Sequence, residues 1–167
     1  MPLFGKRPVD ARVTGLAWSR VVQLERQEWV IKRASRTPSD GVRNVQKQTV
    51  YYLATVADTH PGPTDATRLE PRSRTYYIYE QLEWHKGAEL TASGAGQDGV
   101  AWPEYELGPR ERVRSKKETY TATFTAGDKS YEATLPEQEW RALEPGVSCR
   151  LTRGLFGGVK SATPTVG

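Results

Sequence analysis

A single cysteine in 167 residues leaves Cys149 without a partner in the chain, so no intramolecular disulfide holds this fold together. Histidine is almost as scarce. His60 and His85 are the only two, and neither has a second histidine or a cysteine at the spacing zinc requires. A nucleophilic triad would have to recruit one of them, and no Gly-x-Ser-x-Gly elbow supplies its nucleophile. Long apolar runs are missing as well, so no stretch has the length of a membrane helix. The opening Met1-Pro2-Leu3-Phe4-Gly5-Lys6-Arg7 lacks the apolar core of a secretory signal. Charge of one sign is not in excess either. The 24 basic residues are interspersed with 20 acidic ones, and a net charge of +4 favours anionic neighbours only weakly. No internal repeat of fixed period occurs. These absences lead to the expectation of a cytoplasmic protein that is not an enzyme and holds no cofactor or metal.

Aromatic side chains, by contrast, are plentiful. Five Trp and eight Tyr, within a 37% hydrophobic content, suffice for a packed interior, because each buried ring removes a large area from water. The length suits one domain, or two small β units sharing a core. Its organising stretch is 119–161. There Tyr120, Ala122 and Phe124 alternate with threonines, the period of two that a half-buried strand demands. Gly127-Asp128 supplies a tight turn, and Tyr131, Ala133 and Leu135 resume the alternation. Residues 136–143 are the one helix predicted: Pro136 suits a first turn, Glu137 and Glu139 suit the positive end of the dipole, and Trp140 and Leu143 are spaced to face the sheet. Val147, Cys149 and Leu151 alternate again, and a glycine turn leads into a last strand from Val159. The fold class expected is mainly β, an antiparallel twisted sheet or small barrel with that single helix.

Upstream, residues 1–16 read as a flexible lead-in, and 17–167 as one β-rich domain whose C-terminal unit is 117–162. Residues 18–33 read as one long strand or two collinear ones, with a bulge or change of buried face near Arg26. A loop over 34–44 follows, then a strand over 45–57. The stretch 58–72, broken by Pro61, Gly62, Pro63 and Pro71, reads as a long tip. A strand from Tyr76 to Trp84 would then return antiparallel to the one before it. Residues 89–92 are short and extended, 93–99 a Gly-rich loop, and 102–107 an edge piece, since Pro103 has no amide to give a ladder.

Little of this carries chemistry. Gly154 to Ser161 superficially resembles a phosphate loop, but Val159 stands where glycine must precede Lys160-Ser161 and no helix follows. Cys149 lies on an apolar strand face and reads as a buried structural thiol. Glu104 and Glu106 share a strand face without anything to mark them as acid and base. Arg110, Arg112, Arg114, Lys116 and Lys117 make the one basic run. It suits contact with a nucleic acid or other anion, with Trp102 and Tyr105 near enough to stack on bases. A solvated edge strand defended by charge gives the same pattern.

Taken together, Trp102-Pro103-Glu104, the 120–124 strand, Trp140-Arg141-Ala142-Leu143-Glu144-Pro145-Gly146 and the 154–159 turn resemble uncharacterised bacterial β-rich proteins. In those, an early tryptophan strand (here from Trp18) and a tyrosine-rich strand ending in Trp84 precede such a unit. The likeness spans 17–162, and the Arg/Gly/Ala-rich composition points to an actinobacterial source. The resemblance implies a fold and brings no catalytic residues. The leading expectation for function is a non-catalytic module that binds a protein partner or self-associates, because aromatics favour interface cores. Nucleic-acid binding through 110–117 is the alternative. A small-ligand barrel or enzyme with an aromatic pocket around Trp84, Trp102 and Trp140 is a third.

Overall fold

The computed structural model describes residues 7–57, 67–153 and 158–165. Among these the chain is mainly β, with seven strands and one short helix. The strands are β1 (Val9–Ala34), β2 (Val42–Ala57), β3 (Thr67–Ala95), β4 (Glu111–Ala126), β5 (Lys129–Leu135), β6 (Ser148–Arg153) and β7 (Val159–Pro164), and the helix is α1 (Glu137–Arg141). They form one sheet in the order β2-β3-β1-β4-β5, with β6 joined to β1 and β7 to β6. The β1–β6, β2–β3, β4–β5 and β6–β7 pairs are all antiparallel.

Two compact units divide the chain: Met1–Glu25 with Lys86–Gly167, and Arg26–His85. The first contains the core. Ala11, Val13, Leu16 and Trp18 of β1 meet Tyr120, Ala122 and Phe124 of β4, Ala133 and Leu135 of β5, and Cys149 and Leu151 of β6. Trp140 of α1 and Leu143, two residues past its end, close it and are fully buried; the helix expected over 136–143 spans only Glu137–Arg141. The Trp140 indole also donates to the Thr121 carbonyl at 3.1 Å, so its one polar atom is satisfied. The β4–β5 turn has two central residues, Gly127 and Asp128, and Gly127 takes a φ of 61° that suits the first position of a type II′ hairpin.

Several boundaries differ from the sequence reading. Residues 9–16, expected within a lead-in, are the start of β1, and Ala11, Val13 and Leu16 are buried. The signal was present, since Val9, Ala11 and Val13 alternate with Asp10 and Arg12. Of the tip expected over 58–72, residues 67–72 belong to β3, paired with β2, and 58–66 lie outside the described residues. Residues 89–95 continue β3 in place of a short piece and the start of a loop. Residues 102–107 adopt no regular ladder. The disturbance expected near Arg26 coincides with the division between units: Val22, Gln23, Leu24 and Glu25 are all buried, and burial stops there.

The second unit is built from the end of β1, all of β2 and most of β3. The β2–β3 register runs from Val42↔Gln81 to Ala57↔Thr67, confirming the antiparallel pairing read from sequence, with an irregularity between Arg43 and Gln46. Asn44 occupies that irregularity at a φ of 53°, a conformation asparagine tolerates better than most residues. Glu80 fixes it, accepting from Arg43 Nε at 2.6 Å and Asn44 Nδ2 at 2.7 Å. The Arg43 guanidinium also lies 4.0 Å from the Trp29 ring.

Candidate functional site

Within the first unit, β1 and β4 bring Arg20 against the hydroxyl of Tyr120. Arg20 donates to that oxygen from Nε at 3.0 Å and Nη2 at 2.7 Å, and the hydroxyl donates its own proton to Glu118 at 3.0 Å. Nη2 also lies 3.3 Å from the Glu137 carboxylate at the start of α1. The hydrogen bond to Tyr120 raises the Arg20 pKa, while burial raises that of the phenol. A phenol that is buried, saturated with partners and shifted upward is a poor base or nucleophile near neutral pH. The cluster joins β1, β4 and α1.

The aromatic residues singled out in the sequence are dispersed. Trp140 lies in the core with its ring centre 5.0 Å from that of Tyr120. Trp102 has the Arg20 guanidinium 5.0 Å and the Lys116 ammonium 5.1 Å from its ring centre. Arg20 and Tyr120 therefore fill the space between these two indoles. Trp84 belongs to the other unit.

Of the basic run, Arg110, Arg112, Arg114, Lys116 and Lys117 are all exposed, and Arg110 precedes β4. Arg112 donates to the buried Glu25 carboxylate at 2.5 Å. Lys116 lies over Trp102 and within 5.8 Å of the Tyr105 ring centre, so both aromatics near the run are engaged with its lysine. Cys149 is fully buried, and burial raises its thiol pKa, in keeping with a structural role. His85 Nε2 is 3.9 Å from Glu83, too far for a hydrogen bond. His60 and the glycines at 154 and 157 lie outside the described residues. Among the described residues no three His, Cys, Asp or Glu gather at metal-binding distance, and no helix is long and apolar enough to cross a membrane.

The second unit presents a different surface. Not one of its described residues is buried. Ile31, Val45, Val50, Tyr51, Tyr52, Leu53 and Leu69 are all exposed, seven of the eight large apolar side chains found so among the described residues. Opposed residues in an antiparallel ladder share a face. The register therefore sorts the β2–β3 ribbon into two. One face carries Lys47/Tyr77 and then, uncharged from there on, Thr49/Thr75, Tyr51/Ser73, Leu53/Pro71 and Thr55/Leu69. The other carries Gln48/Tyr76, Val50/Arg74, Tyr52/Arg72, Ala54/Glu70 and Val56/Arg68. On that second face Arg74 reaches within 5.6 Å of the Tyr52 ring centre, and Arg33 of β1 lies 3.5 Å from that of Tyr76.

Two residues that matter structurally have no signature in the sequence. Gln97, in the Gly-rich loop, donates to the carbonyls of Trp140, which also accepts the Leu143 amide, and of Leu143, at 2.7 Å each. Gln23, buried in β1, donates to the carbonyls of Leu24, Gly87 and Ala88 at 2.9–3.1 Å. Each bridges positions far apart in the chain, which no local pattern announces. The chain matches no protein-family model, and neither a curated protein nor a solved structure proves similar to it.

Proposed function

We propose that the chain is a non-catalytic protein-interaction or assembly module that joins its partner through the unit Arg26–His85. One observation carries this reading: that unit has no buried residue among those described, yet it displays Ile31, Val50, Tyr51, Tyr52, Leu53 and Leu69 to solvent. Narrow β ribbons are marginal in water unless a hydrophobic face is covered. On one face of the ribbon Tyr51, Leu53 and Leu69 stand together, and an exposed apolar cluster of this kind marks an interaction site. Covering Leu53 and Leu69, 62% and 64% exposed, would each contribute about 1–2 kcal/mol. The first unit supplies the anchor, with its polar groups committed to one another at Arg20, Tyr120, Glu118 and Glu137.

The test is the native size of the tagged chain in extract of the cells it comes from. Size-exclusion chromatography should place the wild type in a species well above its own mass. A Tyr51→Ser, Leu53→Thr, Leu69→Thr variant should elute at its own mass with an unchanged circular dichroism spectrum. A wild type that elutes at its own mass in fresh extract would end this reading.

A further inference from the structure

The strand order leaves β2 at the end of the sheet: among the described residues it pairs with β3 alone, so its other edge offers unpaired amides and carbonyls. Edges are normally defended by proline, charge or bulges, because an open edge accepts any passing strand. β3 carries such devices over the matching stretch, in Arg68, Glu70, Pro71, Arg72 and Arg74. β2 carries none there. From Thr49 to Ala57 it reads Thr-Val-Tyr-Tyr-Leu-Ala-Thr-Val-Ala, nine residues without charge, proline or glycine, in a chain of which 26% is charged. Its one irregularity, at Asn44, lies outside this stretch.

We infer that this edge pairs antiparallel with the same edge of a second copy, about a two-fold axis at Leu53. The inference rests on the assembly reading above and names its partner. A self-complementary contact brings each residue against its counterpart across the axis, so a charge near the axis would meet its own like. The arrangement about Leu53 opposes Val50 to Val56, Tyr51 to Thr55, Tyr52 to Ala54 and Leu53 to itself, with no charged residue among them. It also keeps like faces together. The uncharged face of one ribbon continues into that of the other, placing Tyr51, Leu53 and Thr55 of both copies in one row. The arginines of the opposite face lie on β3, one strand back from the junction. In the joined order β3-β2-β2-β3 the two arginine rows stand three strand spacings apart, roughly 14 Å. That exceeds the screening length of about 8 Å at physiological salt, so the junction carries little repulsion. An acidic or basic partner strand would find no complementary charge along this edge, whereas a second copy matches it residue for residue.

Sedimentation velocity of the purified chain, from low to high micromolar concentration, tests this. The wild type should show a concentration-dependent dimer. Leu53→Lys and Leu53→Glu, which alter an exposed side chain, should each sediment as monomers with unchanged circular dichroism. An equimolar mixture of the two variants should recover the dimer, because the new charges meet across the axis. A monomeric wild type, a dimer that survives either substitution, or a mixture that stays monomeric would each overturn the inference. If the purified wild type is monomeric while the extract still shows a large complex, the self-pairing fails and the interaction reading stands.

Discussion

Gly94 of β3 lies directly against the indole of Trp18: a β-carbon at that position would come within 2.9 Å of Trp18 Nε1. The ring is itself buried in the core and has little room to retreat. Gly94→Ala is therefore expected to destabilise the protein by about 1–3 kcal/mol, the usual cost of overpacking. Urea unfolding followed by tryptophan fluorescence measures it, and an unchanged midpoint would show that the ring moves freely.

Gln97 holds the end of α1 through two carbonyl acceptors. Gln97→Ala leaves both without that donor, at an expected cost of about 1–3 kcal/mol. Gln97→Glu should be at least as harmful, since a carboxylate cannot donate to a carbonyl. Equal stability of the alanine variant and the wild type in thermal unfolding would remove this role.

Acid should loosen the helix attachment. Glu137 accepts from Arg141 at 2.9 Å and also neighbours Arg20, and its carboxyl is held below the ordinary value near 4.5, chiefly by the Arg141 hydrogen bond. The folded state thus binds this proton more weakly than the unfolded chain does. The stabilisation is complete above the ordinary value and is lost as pH falls through the lowered one. Glu80, held low mainly by Arg43, acts in the same direction in the other unit. Melting temperature should therefore fall between pH 5 and pH 3, and Glu137→Gln should flatten part of that slope. A slope identical in the variant would assign the acid sensitivity elsewhere.

Binding of mixed-sequence DNA or RNA is expected to be negligible at physiological salt. Arg112 is paired with Glu25, and Lys116 is held over Trp102 and Tyr105, so the basic run does not present an uninterrupted row of cations with open stacking rings. Fluorescence anisotropy at low and physiological salt checks this. Tight binding that weakens steeply with salt and is lost in Arg114→Ala/Lys117→Ala would reverse the expectation.

The fold was legible wherever local alternation and burial agree. Tyr120, Ala122 and Phe124 repeat every second residue and all three are buried, and Trp140 and Leu143 are buried although the helix ends before Leu143. Legibility failed where the decisive contact is distant. Nothing around Arg20 announces that it lies between Trp102 and Tyr120, because those rings are brought in by other elements. The exposed second unit was misleading for the opposite reason: Tyr51, Tyr52 and Leu53 have the composition of a buried strand, and only the burial along the ribbon shows that they stay exposed. Its open edge depends on strand order, which alternation does not encode.

Val9 pairs with Leu151 and Arg12 with Ser148, so the core joins segments almost a full chain apart. During synthesis the ribosome must release Leu151 before β1 finds this neighbour. At about 5–20 residues per second, roughly 5–20 s separate the emergence of Ala57 from that of Leu151. Throughout this interval the nascent chain carries an uncharged edge strand with no finished core behind it. Such a chain exposes that edge on the polysome, where neighbouring copies at the same stage are crowded together.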